Sequence, residues 1–313
     1  MSKFAIAPEF MNRLLRDEPM SRHTSWHVGG PADVWFAPQD VEDLSRFLGA
    51  LPAAVPVTWV GLGSNLLVRD GGIRGVVISV HGILNALERI GTDRVRAEAG
   101  VACARLGRQC AKWQLGPADF FAGIPGTVGG ALAMNAGCYG GETWAHVARV
   151  EMLGRDGTFA VRTPADFAIG YRSVATRDGA PLDALFTAAW FRFPVGDAAK
   201  ARARIKALLA QRIATQPLAL PNAGSVFRNP PGDHAARLIE SCGLKGYRIG
   251  GARVSELHAN FIVNAERRAS AADIEALIAH VRATVEAATG VALAPEVRIL
   301  GEHASGARDA GNG

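Results

Sequence analysis

The sequence predicts an α+β protein of about two domains, and three observations support that prediction. The chain has 313 residues, and a domain commonly holds about 100–200 residues. Hydrophobic residues make up 49% of the chain and charged residues 20%, which excludes a disordered protein. In the first two thirds, short apolar runs bounded by Gly, Asp and Pro turns outnumber the helical patterns, so a regular βαβ alternation is not indicated.

Hydrophobic periodicity predicts the individual elements of these first two thirds. Strands are predicted at residues 32–37, 57–60, 75–80, 95–99, 147–153 and 185–193. Helices interrupt them at about residues 40–51 and 103–115.

Three helical patterns are predicted in the last third. A helical, arginine-rich pattern at 198–214 ends before Pro217 and Pro221, which mark a domain junction. Residues 301–313 are rich in Gly, Ala and Asn and are predicted to be a frayed tail.

Two further helices are predicted, at about residues 233–242 and 270–289. In the second, Ser270 and Asp273 form a capping box and Gly290 ends the helix. One face of this helix carries an apolar stripe of Ile274, Leu277, Ile278, Val281 and Val285.

Charge and cysteine usage narrow the class of protein. The net charge is +5 and the arginines are spread along the chain, so a nucleic-acid-binding arm is not indicated. The four cysteines have no CxxC and no regular spacing, so neither a zinc ribbon nor a disulfide framework is indicated. The first 20 residues lack an apolar core, and no run reaches the ~18 apolar residues of a membrane span. A cytoplasmic protein is therefore predicted.

Two glycine-rich stretches are candidates for ligand binding. Residues 61–65 (Gly-Leu-Gly-Ser-Asn) follow a predicted strand and form either an anion-binding nest for a diphosphate or a tight structural turn. Residues 122–137 carry glycines among small apolar residues, a composition that favours neither helix nor strand. This second stretch suits close approach by a flat, phosphate-bearing cofactor, or a buried crossing of two elements. Together the two favour a dinucleotide.

The remaining candidates are single polar residues. No GxSxG elbow surrounds Ser225, so it is either a turn residue or a donor of a proton or hydrogen bond to a ligand. Arg172 and Glu296 could bind a carboxylate and support a developing anion, or each could form a structural ion pair. His258 has no second histidine at ligand spacing, which argues against a metal site.

The two glycine-rich stretches and the segments around Arg172, Ser225 and Glu296, in their order along the chain, closely resemble the family of UDP-N-acetylenolpyruvoylglucosamine reductases. These are flavoenzymes of bacterial cell-wall synthesis. The resemblance begins at residues 23–33 (His-Thr-Ser-Trp-His-Val-Gly-Gly-Pro-Ala-Asp) and continues to residues 295–298 (Pro-Glu-Val-Arg), which is nearly the whole chain. Residues 238–246 and 254–261 are also similar to the family's C-terminal domain.

The resemblance implies an FAD-binding region of two α+β subdomains, of the vanillyl-alcohol-oxidase type, followed by an α+β substrate domain. The implied segments are an N-terminal segment at 1–21, the FAD-binding region at 22–197, the substrate domain at 198–303 and a flexible tail at 304–313. It further implies bound FAD, NADPH as hydride donor and a UDP-sugar substrate. No metal, nucleic-acid or membrane partner is implied, and the protein is expected to be a monomer.

The resemblance also assigns roles to residues. Arg172 would stabilise an enolate-like intermediate, Ser225 would donate the proton and Glu296 would be the catalytic glutamate. Tyr171 and Asn229 would contact the substrate. The residues that would bind FAD are Gly61, Gly63, Ser64, Asn65, Gly123, Ile124, Pro125, Gly126, Thr127, Gly129 and Gly130.

Two departures from the family pattern are visible. The family commonly has a serine two positions after the arginine of its Tyr-Arg motif, whereas here Ser173 follows Arg172 directly and position 175 is Ala. The chain also lacks the long insertion that supplies a lid tyrosine in one subgroup, so it resembles the shorter type.

Two other functions are compatible with the same residues. One is an FAD oxidase acting on an alcohol or a sugar lactone, against which the Ser225 and Glu296 motifs argue. The other is a flavin- or nucleotide-binding regulator without catalytic activity.

Overall fold

In the computed structural model, which describes residues 6–304, the chain forms two compact units. The first contains the residues up to Leu14, Phe36–Leu62 and Val77–Arg212; the second contains Leu15–Trp35, Gly63–Val76 and the residues from Ile213 onward. Each unit thus combines segments that are distant in sequence. The continuous domain bounds expected from the sequence stay a prediction. The frayed tail expected from residue 301 begins later, because Glu302 forms an antiparallel bridge with Gly72; from residue 305 the tail lies outside the described residues.

The elements are numbered in chain order. The strands are β1 (Leu14–Pro19), β2 (Pro31–Phe36), β3 (Val57–Val60), β4 (Leu66–Val68), β5 (Ile73–Ser79), β6 (Leu87–Ile90), β7 (Arg94–Glu98), β8 (Gly137–Cys138), β9 (Gly141–Glu142), β10 (Val147–Gly154), β11 (Phe159–Arg162), β12 (Phe167–Gly170), β13 (Ser173–Thr176), β14 (Ala184–Arg192), β15 (Arg248–Ile249), β16 (Ala252–Val254), β17 (Ile262–Val263) and β18 (Arg298–Leu300). The α-helices are α1 (Val41–Ala50), α2 (Cys103–Lys112), α3 (Val128–Ala133), α4 (Ala198–Thr215), α5 (Ala235–Ser241) and α6 (Ala271–Thr289). Short 3-10 helices lie at Pro8–Arg13, Met20–Arg22, Asp119–Gly123, Thr143–His146 and Pro164–Asp166.

The six predicted strands correspond to β2, β3, β5, β7, β10 and β14, and the five predicted helices correspond to α1, α2, α4, α5 and α6. These predictions are confirmed, with ends that differ by a few residues. The α+β class is confirmed as well. The sequence did not predict β6, whose Leu-Glu-Arg-Ile sequence lacks a clear apolar pattern. It also did not predict β4, which is apolar but only three residues long.

A five-stranded antiparallel sheet organises the first unit. Its strand order is β11-β10-β14-β7-β6, with Val150 of β10 opposite Ala189 of β14. Alternate residues of these strands, including Val150 and Phe191, are fully buried with Leu106 of α2 and Leu132 of α3 in one hydrophobic core. Residues of the glycine-rich stretch 122–137, including Ile124 and Ala136, belong to the same core.

Helix α6 organises the second unit. The Ser270 hydroxyl accepts a hydrogen bond from the Asp273 amide at 3.0 Å, and the Asp273 carboxylate accepts one from the Ser270 amide at 3.0 Å. Gly290 ends the helix in the left-handed conformation, with φ of 72°. The predicted apolar stripe is buried, and it packs in a core with Trp26, whose indole Nε1–H donates to the Ile262 carbonyl at 2.7 Å.

All four cysteines are free. Burial raises the pKa of the Cys103 and Cys110 thiols to about 12, so these two side chains serve as small apolar residues of the first unit's core.

One partly buried ion pair of the first unit has a measurable consequence for stability. The Arg13 guanidinium donates two hydrogen bonds, at 2.7 and 2.8 Å, to the Asp43 carboxylate of α1, which is 1% exposed. These hydrogen bonds hold the pKa of Asp43 below its ordinary value of 3.8, against the opposing effect of burial. The charged form of Asp43 is therefore favoured in the folded protein.

Asp43→Asn is expected to lower the free energy of unfolding at pH 7 by about 2–4 kcal/mol, because it leaves Arg13 without its charged partner. A depressed folded-state pKa contributes stability above the unfolded value, and this contribution is lost as the pH falls through the folded value. In urea denaturation, the difference in the free energy of unfolding between variant and wild type should therefore be constant from pH 7 to about pH 5. The difference should become smaller as the pH falls below 3.8. A difference that does not change with pH would contradict the role of the ion pair.

Candidate active site

The first glycine-rich loop connects β3 to β4. Gly63 lies in it with a positive φ of 61°, and a Cβ at this position would lie 1.9 Å from the His23 carbonyl oxygen. The Gly63 carbonyl in turn accepts a hydrogen bond from the Ser25 amide at 3.2 Å. Only glycine fits here, because the loop packs directly on the backbone of residues 23–25. The following Ser64 and Asn65 are half-buried.

Asn65 connects this loop to the segment of Glu296 in the second unit. The Asn65 Nδ2–H donates to the main-chain oxygen of Glu296 at 3.1 Å, and the Arg298 amide donates to the Asn65 carbonyl at 3.1 Å. Strand β4 then pairs in parallel with β18, which begins at Arg298. A residue expected to bind FAD and the expected catalytic glutamate are thus adjacent, although 231 positions separate them in sequence.

Ser225 and Glu296 lie on neighbouring backbone segments of the second unit. Phe227 and Pro295 form an antiparallel bridge, and the Glu296 amide donates to the Val226 carbonyl at 2.7 Å. Both Ser225 and Glu296 are half-buried. The structure therefore brings together two of the three residues expected to be catalytic.

Asn260, to which the sequence assigned no role, fixes this arrangement. Its amide side chain is buried and makes two hydrogen bonds to Phe227, accepting from the amide at 2.9 Å and donating to the carbonyl at 2.8 Å. The Asn260 carbonyl also accepts from the Val226 amide at 2.9 Å. Asn260 lies within the family-like stretch 254–261, and this resemblance was the only feature of the sequence that pointed to it. Its partner lies 33 positions away.

Asn229, expected to contact the substrate, is exposed in the same segment. Its Oδ1 accepts a hydrogen bond from the Ala235 amide at the start of α5, at 3.1 Å. The substrate contact stays a prediction.

The second glycine-rich stretch contains a helix, which corrects the expectation that its composition favours neither helix nor strand. Helix α3 begins after Thr127, whose hydroxyl accepts a hydrogen bond from the Gly130 amide at 3.4 Å. This cap and the burial of Val128, Ala131 and Leu132 outweigh the low helix propensity of glycine.

The glycines of this stretch and of the first loop allow close packing within the first unit. A Cβ at Gly61 would lie 2.8 Å from the Thr127 hydroxyl, one at Gly123 would lie 2.6 Å from Cys138 Sγ, and one at Gly129 would lie 2.9 Å from Ala99 Cβ. The Gly61–Thr127 approach brings the two glycine-rich stretches together. The Val128 and Gly129 amides donate to the carbonyls of Val101 and Ala99 at 2.8 and 2.9 Å, and so hold the stretch on the core.

These features fit FAD. Pro125 and Gly130 are exposed and Gly126 is half-buried, so the stretch presents main chain with little side-chain bulk to a ligand. A flat ring system and a diphosphate need such close access to the backbone. The residues present can therefore hold the cofactor that the sequence implies.

Arg172 lies at the tip of the hairpin formed by β12 and β13, in the first unit. Gly170 pairs with Ser173, so Tyr171 and Arg172 form a two-residue loop in which Arg172 has a positive φ of 53°. The Arg172 Nη2–H donates to the Gly137 carbonyl at 3.0 Å. Tyr171 is 47% exposed, and the Arg172 guanidinium carbon lies 5.0 Å from the centre of its ring.

Gly63→Ala is expected to lower the free energy of unfolding by about 3 kcal/mol or more, and to reduce FAD retention, because the added methyl group meets backbone at a positive φ. Gly91→Ala is the matched control, since Gly91 has a φ of 64° and open space around its Cβ position. The control should cost about 1 kcal/mol and leave FAD bound. Equal losses from the two variants, measured by denaturation and by flavin content, would contradict the packing role of Gly63.

Comparisons with known proteins assign the chain to a family. A sequence profile described as the UDP-N-acetylenolpyruvoylglucosamine reductase C-terminal domain matches residues 216–300, and one described as an FAD binding domain matches residues 32–161. A UDP-N-acetylenolpyruvoylglucosamine reductase from Alkalilimnicola ehrlichii is 57% identical over 285 residues, covering 91% of this chain and 94% of the relative. The chain belongs to the UDP-N-acetylenolpyruvoylglucosamine reductase family.

Further members of the reductase family support the assignment. The relative from Nitrosospira multiformis is 55% identical over 308 residues, covering 92% of this chain and 88% of the relative. The crystal structure of the enzyme from Thermus caldophilus is similar with a TM-score of 0.78 at 29% identity, covering 95% of this chain and 99% of that one.

Most of the candidate site residues lie within the two matched stretches. Both glycine-rich stretches lie within the match to the FAD binding domain, whereas Ser225 and Glu296 lie within the match to the reductase C-terminal domain. Tyr171 and Arg172 lie between the two matches. Between residues 6 and 304, no helix has the length and hydrophobicity needed to cross a bilayer, and no His, Cys, Asp or Glu cluster of the described chain could hold a metal ion.

Proposed function

We propose that this chain is an FAD-containing, NADPH-dependent oxidoreductase that reduces the enolpyruvyl group of UDP-N-acetylglucosamine-enolpyruvate. Its product is the lactyl ether of UDP-N-acetylmuramate, a precursor of peptidoglycan. One observation carries the proposal: the segments of Ser225 and Glu296 pair with each other inside the stretch that matches the reductase's C-terminal domain. This pairing supports a proton donor and an acidic group acting at one place.

Arg172 is assigned to the carboxylate of the substrate. FAD, when bound, supplies the hydride that it has received from NADPH. Hydride addition to the vinyl CH2 forms a methyl group and leaves an electron pair on the neighbouring carbon, delocalised into its carboxylate. The planar guanidinium of Arg172 can hold that carboxylate by two parallel hydrogen bonds and stabilise the negative charge as it develops.

Ser225 is assigned as the proton donor. Its Oγ–H proton goes to the carbon that carries the electron pair, a C–H bond forms, and the serine oxygen regains a proton from water. A serine hydroxyl is a weak acid, but such a carbanion is basic enough to take its proton if the hydroxyl is well aimed. The hydrogen bonds between Asn260 and Phe227 support this aim, because they fix the backbone two residues after Ser225.

Glu296 is assigned to the stabilisation of the charge that develops at the same carbon. In its protonated form it would donate a hydrogen bond to the enolate, and in its charged form it would orient the neighbouring groups. The hydrogen bond from Asn65 Nδ2 to the main-chain oxygen of Glu296 supports a fixed position for this residue beside the first cofactor loop.

Further residues are assigned to binding. Tyr171 and Asn229 would contact the UDP-sugar. The FAD-binding residues would be Gly61, Gly63, Ser64, Asn65, Gly123, Ile124, Pro125, Gly126, Thr127, Gly129 and Gly130. Because the Gly129 amide already donates to Ala99, we assign Gly129 to close approach rather than to a hydrogen bond with phosphate.

We further propose that the FAD-binding region spans residues 22–197 and the substrate domain 198–303, and that the enzyme acts as a monomer in the cytoplasm. Its partners would be the UDP-sugar and NADPH alone. Size-exclusion chromatography should then give a mass near the 33.0 kDa of one chain.

The proposed activity is tested by product analysis. The purified protein, NADPH and the enolpyruvyl UDP-sugar should yield a UDP-sugar two hydrogens heavier by mass spectrometry, with NADPH consumed in equal amount. Oxidation of an added alcohol or sugar lactone without NADPH would identify an FAD oxidase instead. Bound FAD that NADPH cannot reduce would identify a binding protein without this activity.

A further inference from the structure

Asn135, immediately after helix α3, is a buried asparagine whose side chain makes three hydrogen bonds. Its Nδ2 group donates to Glu142 Oε2 at 3.1 Å and to the Gly170 carbonyl at 3.1 Å. Its Oδ1 accepts from the Trp144 amide at 3.1 Å. The residue is 2% exposed and has a positive φ of 47°, a conformation that asparagine tolerates better than most residues.

These hydrogen bonds reach Arg172 from two directions. Gly170, which receives one of them, is the last residue before the two-residue loop that contains Arg172. The Arg172 guanidinium also donates to the main-chain carbonyls of the segment after α3, to Gly137 at 3.0 Å and to Asn135 itself at 3.5 Å. The Asn135 side chain therefore links the base of the Arg172 loop to the segment whose carbonyls, of Asn135 and Gly137, accept hydrogen bonds from the guanidinium.

Arg172 needs such support. Its own backbone is in the left-handed region, which non-glycine residues adopt rarely and retain only where surrounding structure holds them. Two hydrogen-bond donors and one acceptor on a short side chain meet this need, and asparagine has this combination while aspartate and leucine do not.

We propose that Asn135 is a positioning residue that aims the guanidinium of Arg172 at the substrate's carboxylate. This inference rests on the proposed function, in which Arg172 stabilises the charge that develops after hydride addition. Asn135 lies near the end of the glycine-rich stretch 122–137, but the sequence assigned no role to it.

Asn135→Asp tests the proposal, since it keeps the size and the Oδ1 acceptor while replacing the donating amide with a carboxylate that faces Glu142 and the Gly170 carbonyl. Flavin content and the rate of flavin reduction by NADPH should stay within about twofold of wild type. Reoxidation of the flavin by the enolpyruvyl UDP-sugar should slow by about 10- to 100-fold, as expected for a displaced catalytic group. In an Arg172→Lys background, Asn135→Asp should slow reoxidation by no more than a further ~3-fold.

Asn264→Asp is the matched control. Asn264 is also buried; its Nδ2 donates to the Trp26 carbonyl at 3.0 Å and its Oδ1 accepts from the Ala269 amide at 3.0 Å. This variant should lose stability while reoxidising at the wild-type rate. A structural role for Asn135 alone would make the two variants alike.

The outcomes separate this inference from the proposed function. Normal reoxidation in Arg172→Lys would overturn the assigned role of Arg172. Slow reoxidation in Arg172→Lys with a normal rate in Asn135→Asp, or slowing that multiplies in the double variant, would overturn only the positioning role. If Asn135→Asp does not fold, Glu142→Ala removes one of the three hydrogen bonds from a half-buried position. It should slow reoxidation by about 3- to 10-fold, again without further effect in Arg172→Lys; a normal rate would overturn the inference.

Discussion

Replacing Ser225 with alanine is expected to leave FAD bound and reducible by NADPH, while reoxidation by the enolpyruvyl substrate slows by about 1,000-fold. In the proposed reaction the serine acts only after hydride has reached the substrate, so the first half of the reaction would not need it. General acid catalysis by a positioned side chain contributes about 10²–10⁴-fold, which sets the size of the effect. Anaerobic stopped-flow absorbance of the flavin measures the two halves separately.

Ser241→Ala provides the matched control for this variant. Ser241 lies in the same unit, is exposed, and donates a hydrogen bond from its hydroxyl to the Leu238 carbonyl at 2.8 Å. Its loss should affect stability slightly and neither half-reaction. If Ser225→Ala reoxidises at the wild-type rate, Ser225 is not the proton donor.

Arg172→Lys and Glu296→Gln are expected to slow substrate-driven reoxidation by about 100-fold or more each, with NADPH-driven reduction and FAD content unchanged. Lysine keeps the charge of Arg172 but loses the planar fork that binds a carboxylate at two points. Glutamine keeps the size of Glu296 but removes the ionisable group. Both residues are assigned to charge that develops at one carbon.

A double-variant cycle tests whether Arg172 and Glu296 act together. If they share one transition state, the double variant should be much less impaired than the product of the two single defects. Strictly multiplicative losses would indicate independent roles. Loss of FAD from either single variant would indicate that the residue supports the fold or the cofactor instead.

Local sequence signals were sufficient where a structural feature depends on neighbouring residues. The capping box of Ser270 and Asp273 and the terminating Gly290 predicted helix α6 with its buried stripe, because caps and periodicity act within one or two turns. The strands β3 and β14 followed in the same way from short apolar runs bounded by turns.

Features set by distant contacts were not predictable in this way. Helix α3 forms in a glycine-rich stretch because the core of the first unit buries one of its faces. The roles of Asn260 and Asn135 depend on partners 33 and 35 positions away. Residue spacing alone cannot reveal a side chain that binds the backbone of another loop.

In the candidate site, too, sequence motifs identified individual residues, whereas the contacts between them were visible only in the structure. Ser225, Arg172 and Glu296 were singled out because their motifs resemble the reductase family. The structure adds that the Ser225 and Glu296 segments pair, and that Asn65 joins the second of them. These contacts come from tertiary structure and have no signature in the intervening sequence.

The most direct test of the proposed reaction is an anaerobic titration of the flavin spectrum of the purified protein. One equivalent of NADPH should bleach the visible flavin absorbance, and the enolpyruvyl UDP-sugar should then restore it as UDP-N-acetylmuramate forms. Flavin that NADPH does not bleach, or bleached flavin that the enolpyruvyl UDP-sugar leaves unchanged, would contradict the assignment of this chain as the reductase.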